Sequence, residues 1–424
     1  MTTALIIIFV LAYFAIALEQ PLKIDKSASA LIGAGVLWTV YAAGLGDIQQ
    51  ATAQLTDSLV TTAQIIFFLL GAMAIVETVD AHDGFAILTE RVRARSLSGL
   101  LWLVSLATFF LSALLDNLTT AIVMVSLTRK LIAEREDRLL FAGMVIIAAN
   151  AGGAWTPLGD VTTTMLWIGG QISALNIMAT LFGPSLVNLL VPLAILSWHW
   201  RGRPAGDVPA GEASAVPRFE SRLMFWLGLV ILLLVPVFKA VTGLPPFMAM
   251  LTGLGIVWLV GDLVHRDAAP QVKEQLSLAG SLSRIDMGAI TFFAGILLAV
   301  AALEHAHILR SLAGWLDQVV GRQELIVMII GVASAVVDNV PLVAAAMGMY
   351  PLDQFPRDHF LWEFIAYCAG TGGSMLVIGS AAGVAAMGIE KIDFLWYLRR
   401  VSFLALLGYF AGALLYIFQF RVLN

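Results

Sequence analysis

Two dipeptides set a carboxylate beside an amide in the middle of apolar sequence. Asp116–Asn117 closes the string SALLDN (112–117), and Asp338–Asn339 closes SAVVDN (334–339). Neither apolar interior around them, 98–128 or 321–350, supplies a Lys or Arg partner. An Asp at the centre of a membrane-spanning helix costs roughly 2.5–3.5 kcal/mol on insertion scales, so carboxylates at that depth mark ion or proton paths. Two of them at matching places in a duplicated chain point to one site built from both halves, the arrangement of a secondary transporter.

A second pair of strings supplies further candidates. ANAGGAWTPLGD (149–160) holds Asn150, Gly152, Gly153, Pro157 and Gly159, and AGTGGSMLVIGS (369–380) holds Gly370, Gly372, Gly373 and Gly379. Gly and Pro interrupt a helix, by freeing the backbone or removing an N–H donor. An interruption at depth exposes half-helix ends whose partial charges can face an ion. Beside the first break stand Asp160, Thr162 and Thr163; beside the second stand Thr371, Ser374 and Ser380. These are hard oxygen donors, suited to a small alkali cation. Ser112, Ser334, Thr119 and Thr120, taken singly, read as hydroxyls bonded to their own helix backbone.

The elements that hold these residues are membrane helices. The chain of 424 residues is 60% hydrophobic and 12% charged, against about 25% charged in an average soluble domain, with a mean hydropathy of +0.90. The net charge of −5 is uninformative for a surface that faces lipid, and nothing suggests nucleic-acid binding. The single Cys368 excludes an internal disulfide framework and a Cys-based metal site.

Spanning segments are expected at 4–18, 28–44, 60–79, 139–182 (interrupted), 183–199, 222–240, 247–263, 286–303, 361–389 (interrupted) and 396–420. The stretches 98–128 and 321–350 suit re-entrant hairpins with Asp-Asn near the tip. Irregular backbone at membrane depth is tolerated only where protein or a water-filled cavity surrounds it.

The halves repeat. LIGAGVLWTV (31–40) matches LTGLGIVWLV (251–260), and Phe67–Phe68 precede Ala81–His82 as Phe292–Phe293 precede Ala306–His307. The fold class expected is therefore an all-α polytopic membrane protein of two five-span repeats, 1–200 and 222–424, joined by a linker at 201–221. Five spans per repeat insert the second copy upside down. This topology puts 19 of the 24 Lys/Arg on one face, among them Lys23, Lys26, Arg91, Arg93, Arg95, Arg201 and Lys391. The other face receives Lys239, Arg310, Arg322, Arg357 and Arg421. The positive-inside rule makes the rich face cytoplasmic and both termini external. No cleavable signal is expected, because the first apolar segment lacks a basic flank before it. Glu77 and Glu304 read as interfacial, and His82, His305 and His307 as solvated.

At this point the chain resembles a known family. FFLSALLDNLTTAIVM, ANAGGAWTPLGDVTTTMLW, SAVVDNVPLVAAAMGMY and GTGGSMLVIGSAAGVAAMG look like the NhaD-type sodium/proton antiporters of the ion transporter superfamily, over about Glu19 to Phe403. The resemblance implies inverted repeats, each with a hairpin and a broken helix, in a homodimer with an elevator-like transport domain. It implies exchange of Na+ or Li+ for H+, with no cofactor. The polar relay it implies is Ser112, Asp116, Asn117, Asn150, Asp160, Thr162, Thr163, Ser334, Asp338 and Asn339, with Ser374 and Ser380. The Na+ or Li+ would lie at Asp116, Asn117, Asp338 and Asn339. One departure is Asp286, which stands at the very start of its span.

Coupling would follow from competition, since burial disfavours an ionised carboxylate and a bound cation favours it. Two other readings stand beside this one. Anion carriers share the scaffold, but carboxylates at both tips would repel an anion. An intramembrane aspartyl protease also needs two Asp, but not the matched Asn or Gly clusters. The expected setting is a bacterial inner membrane, with a chloroplast envelope as the alternative.

Overall fold

Apolar runs in a bilayer must satisfy every backbone N–H and C=O internally, which selects helices. Every regular element among the described residues is a helix; the only extended contact among them is an isolated bridge between Ser96 and Pro204. The computed structural model describes residues 1–85, 87, 94, 96–204, 216–266, 269, 271, 273 and 276–423. Arg91, Arg93 and Arg95, and residues 205–215 of the expected linker, lie outside the described residues.

In the first half, α1 (Thr2–Ala17), a short α2 (Glu19–Leu22), α3 (Lys26–Leu45) and α4 (Ile48–Ala81) lead into a hairpin of α5 (Leu97–Ser112) and α6 (Asn117–Leu131). A broken span follows as α7 (Arg135–Ala154) and α8 (Val161–Ile168), and α9 (Ala174–His199) closes the half. The second half runs α10 (Arg218–Thr242), α11 (Pro246–Val264), a short α12 (Leu278–Leu282), α13 (Met287–His305) and α14 (Ile308–Val320). Its hairpin is α15 (Gln323–Ala333) and α16 (Asn339–Met349), its broken span α17 (Phe360–Gly372) and α18 (Ala381–Glu390). The short α19 (Phe394–Arg400) and the span α20 (Ser402–Leu423) end the chain.

Eight of these helices are long and apolar enough to cross a bilayer. The protein is an integral membrane protein. Helices stop and restart at 113–116, 155–160, 334–338 and 373–380, and several expected boundaries move. α4 starts at Ile48, not at 60, because Asp47 caps it by accepting from Gln49 N and Gln50 N. Its 34 residues reach about 51 Å at 1.5 Å per residue, well beyond the hydrocarbon layer. The span expected from 183 starts at Ala174 and carries Pro184 in its interior. Residues 308–320, expected within an external loop, form α14, which leaves Leu312, Trp315 and Val319 exposed.

Contacts fix the relative directions of the spans. α3 lies along α13, with Ser27 Oγ donating to Gly288 O, Trp38 Nε1 to Leu298 O and Tyr41 OH to His305 O. The two therefore run parallel. α4 runs parallel to α11, since Gly71 packs on Met250 and Gly253 comes near Ile75. Second spans of one half thus run with third spans of the other, although consecutive spans alternate. α9 and α20 run antiparallel, with Gly412 against Pro184 O and Gly408 against Asn188 O.

The helices sort into two groups. α1, α3, α4, α10, α11 and α13 pack together; the hairpins, the broken spans, α9 and α20 form the other body. Glycines set its closest approaches. A Cβ on Gly152 would fall 2.2 Å from Phe109 O, and one on Gly372 would fall 1.9 Å from Gly331 O. Each break is thereby pressed against the first arm of its own hairpin.

Candidate functional site

Four helices begin at the two hairpin tips and the two breaks, and each needs its orphan N–H groups satisfied. Asp116 caps α6, with Thr119 N donating to Oδ1 (2.8 Å) and Thr119 Oγ1 to Oδ2 (2.6 Å). Asp160 caps α8, Asp338 caps α16 through Val340 N, and Ser380 caps α18 through Gly383 N. All four caps line one cavity of about 860 Å³. Glu19, Lys26 and Asp286 line it too, with Asp286 exposed.

A buried amide network joins the halves across this cavity. Asn117 Nδ2 donates to Asn150 Oδ1 (3.0 Å), and Asn150 Nδ2 lies 2.9 Å from both Ser374 Oγ and Ser380 Oγ. From the other hairpin, Asn339 Nδ2 donates to Asp160 Oδ2 (3.0 Å). Each tip amide thus reaches a break of the first half, and Asn150 carries the link on to the second.

The hydroxyls divide by role. Ser112 Oγ donates to Ala149 O (2.6 Å) and Ser334 Oγ to Ala369 O (2.8 Å), matched pins that fasten each hairpin to its broken span. Their oxygens keep lone pairs for a further ligand. Thr163 Oγ1 donates to Asp160 O. Thr162 Oγ1 and Thr120 Oγ1 are buried with no hydrogen-bond partner among the described residues.

Asp160 is 2% exposed, and its carboxylate accepts only from neutral donors, Asn339 and Thr162, among the described residues. Asp338 differs from the expectation of an acid without a basic partner. Lys26, the first residue of α3, sets its Nζ 3.1 Å from Asp338 Oδ2. The partner comes from a span end 312 residues away, where residue spacing around the hairpin carries no trace of it. Asp286 stands at the start of its span as expected, capping α13 through Ala289 N.

Other expectations also change. His82 is fully buried rather than solvated: Nδ1 lies 2.7 Å from Thr78 O and the ring 5.2 Å from that of His265. Burial holds the His82 imidazole below its usual pKa. Glu77 pairs with Arg284 (2.6 Å), and Glu304 is exposed. Three residues escape the sequence reading. Lys26 counts there only as an orienting charge. Thr164 lines the cavity and donates to Pro157 O. Glu363, buried inside α17, accepts from Tyr416 OH (2.7 Å) and Asn176 Nδ2.

The chemistry available is electrostatic. Helix N-termini carry partial positive charge and favour anions. Here three of the four are capped by carboxylates, and Glu19 and Asp286 add two more acids against one Lys26. The cavity is a cation-attracting one.

Known proteins resemble this chain over most of its length. The family model described as "Citrate transporter" matches residues 9–365. "Sodium/proton antiporter 1" of Arabidopsis thaliana is 52% identical over 98% of this chain and 72% of its own. "Na(+)/H(+) antiporter NhaD" of Alkalimonas amylolytica is 32% identical over 90% of this chain and 83% of its own. The NhaD protein of Vibrio cholerae is 30% identical over 98% and 91%. The solved YdaH transporter of Alcanivorax borkumensis aligns over 88% of this chain and 89% of its own with a TM-score of 0.56 at 14% identity, a likeness of fold alone.

Proposed function

The chain belongs to the NhaD-type sodium/proton antiporters, within the reach of the citrate-transporter family model, and from that premise we propose that its cavity exchanges Na+ or Li+ for H+. The observation that carries the reading is the trio of carboxylate caps, Asp116, Asp160 and Asp338, on half-helix N-termini around one cavity. An anion carrier would leave those positive ends free for its substrate. Capping them with Asp reverses the field and supplies hard oxygen donors.

The site residues take these roles in the proposal. Asp116, Asp338 and Asp160 hold either H+ or Na+. Asn117, Asn150 and Asn339 orient them, and Thr162, Ser374 and Ser380 offer neutral oxygens. Ser112, Ser334 and Thr163 hold the breaks in shape. Burial disfavours ionised carboxylates, whereas bound Na+ favours them, so the two cargoes exclude one another. If only occupied sites cross, the two gradients are coupled.

The span directions support a division into two inverted repeats, 1–200 and 222–424, and the two helix groups support an elevator-like body carrying the site. Family membership supports a homodimer. The basic asymmetry supports a cytoplasmic 201–221 linker and external termini, which makes this cavity cytoplasm-facing. A bacterial inner membrane is our reading and a plastid envelope the alternative, the similar proteins including both Arabidopsis and bacterial antiporters.

The test is exchange in proteoliposomes under an imposed pH gradient. Na+ uptake that collapses the gradient, with none from citrate, is expected. Citrate-driven proton movement without a Na+ response would favour the anion reading.

A further inference from the structure

Lys26 has no place in the relay described above, yet it holds one of the relay's acids. Its backbone is firmly anchored: Asp25 caps α3 by accepting from Ser27 N (2.7 Å), and Ser27 Oγ donates to Gly288 O (2.8 Å) on α13. From that anchor the ammonium stands 4.5 Å over the ring of buried Phe292 and 3.1 Å from Asp338 Oδ2. Lys26 and Phe292 belong to the α1–α3–α13 group, and Asp338 belongs to the hairpin tip of the other body. The pair therefore bridges the two helix groups inside the cavity.

The charged groups around it leave Lys26 as the sole cationic side chain lining the cavity among the described residues. Glu19 and Asp286 stand on its own side, and Asp116 and Asp160 come from the half-helix caps. The Tyr13 hydroxyl also lines the cavity. Asp116 and Asp160 accept from neutral donors among the described residues and keep lone pairs for an ion; of the three acids only Asp338 is answered by a charge. An ammonium and Na+ are both monovalent cations that seek carboxylate oxygen. Like charges so close repel strongly away from bulk water, so one carboxylate serves one of them at a time.

We propose that Lys26 is a tethered cation that occupies Asp338 while the site is empty and must be displaced by the arriving Na+. The inference rests on the reading of this cavity as the Na+ site. Two consequences follow. The tether sets Na+ affinity, because binding includes the cost of breaking the Lys26–Asp338 pair. It also holds the hairpin tip to the α3–α13 layer until an ion arrives, which suppresses crossing by the empty body.

The test is Na+ binding to the purified full chain in lipid nanodiscs, by calorimetry, from neutral to alkaline pH. Wild type is compared with Lys26→Gln, Lys26→Arg and the double variant Lys26→Gln/Asp338→Asn, each checked for wild-type thermal unfolding. At the alkaline end Lys26→Gln is expected to bind Na+ about tenfold more tightly, equivalent to about 1.4 kcal/mol. Its affinity should also begin to fall at a higher pH than that of wild type, because the proton loses its competitor for the carboxylate. Lys26→Arg should stay close to wild type, and the double variant should lose the gain. Equal affinity of Lys26→Gln and wild type at every pH overturns the proposal, as does a uniform weakening, the mark of a merely structural lysine. Absence of Na+ binding by wild type would instead overturn the reading of the cavity itself.

Discussion

Substituting Asp160→Asn isolates charge from shape. The amide is nearly isosteric: its oxygen at the Oδ1 position still accepts from Thr162 N and caps α8, and its NH2 at the Oδ2 position keeps the link to the second hairpin once the Asn339 amide turns over to accept from it. What disappears is one negative charge at a position 2% exposed, with no cationic partner among the described residues. A carboxylate and a cation about 4 Å apart attract by about 4 kcal/mol at an effective dielectric near 20. Loss of that term weakens Na+ binding by about two to three orders of magnitude. Stability should move the other way or not at all, because an uncompensated buried charge is itself costly. The expected result is a variant that unfolds at or above the wild-type temperature yet binds Na+ beyond the measurable range and does not exchange. Na+ binding by calorimetry and thermal unfolding in the same detergent give both readouts. A dissociation constant within about threefold of wild type, under 1 kcal/mol, would remove Asp160 from the ion site and refute the electrostatic argument.

Competition between Na+ and H+ predicts that the apparent Na+ dissociation constant of wild type rises about tenfold per pH unit in the acid limit for each proton displaced, about 1.4 kcal/mol per unit; an affinity flat with pH would end the competition model. Gly152→Ala and Gly372→Ala would force a methyl to 2.2 and 1.9 Å from Phe109 O and Gly331 O, and overpacking of this kind costs about 1–3 kcal/mol. Both variants should lower the unfolding temperature, and wild-type melting would show that the hairpin is not pressed against the break. For orientation, single cysteines at 201–221 and 304–323 in a Cys368→Ala background should meet an impermeant thiol reagent on intact cells only at 304–323. Labelling of 201–221 from outside would reverse the assigned sides.

Much of this protein is written in local order along the chain. Apolar runs leave a helix as the only way to satisfy backbone groups in lipid, so the spans are legible from composition. The hairpins and breaks are legible because an Asp-Asn pair, or Gly and Pro within ten residues, cannot continue an apolar helix unnoticed. The capping of half-helices by Asp116, Asp160 and Asp338 is local too, each acid lying just before the helix it caps. Partnership across the fold is another matter. That Asn339 meets Asp160, that Asn150 reaches Ser374 and Ser380, and that Lys26 reaches Asp338 all depend on which spans pack together. His82 reads as solvated beside a span end, and is buried in the fold, where the residue after α11, His265, comes 5.2 Å from its ring. Spacing records which residues share a face of one helix. The sign and distance of the charge opposite that face are set by tertiary packing, and there the electrostatics of this cavity are decided.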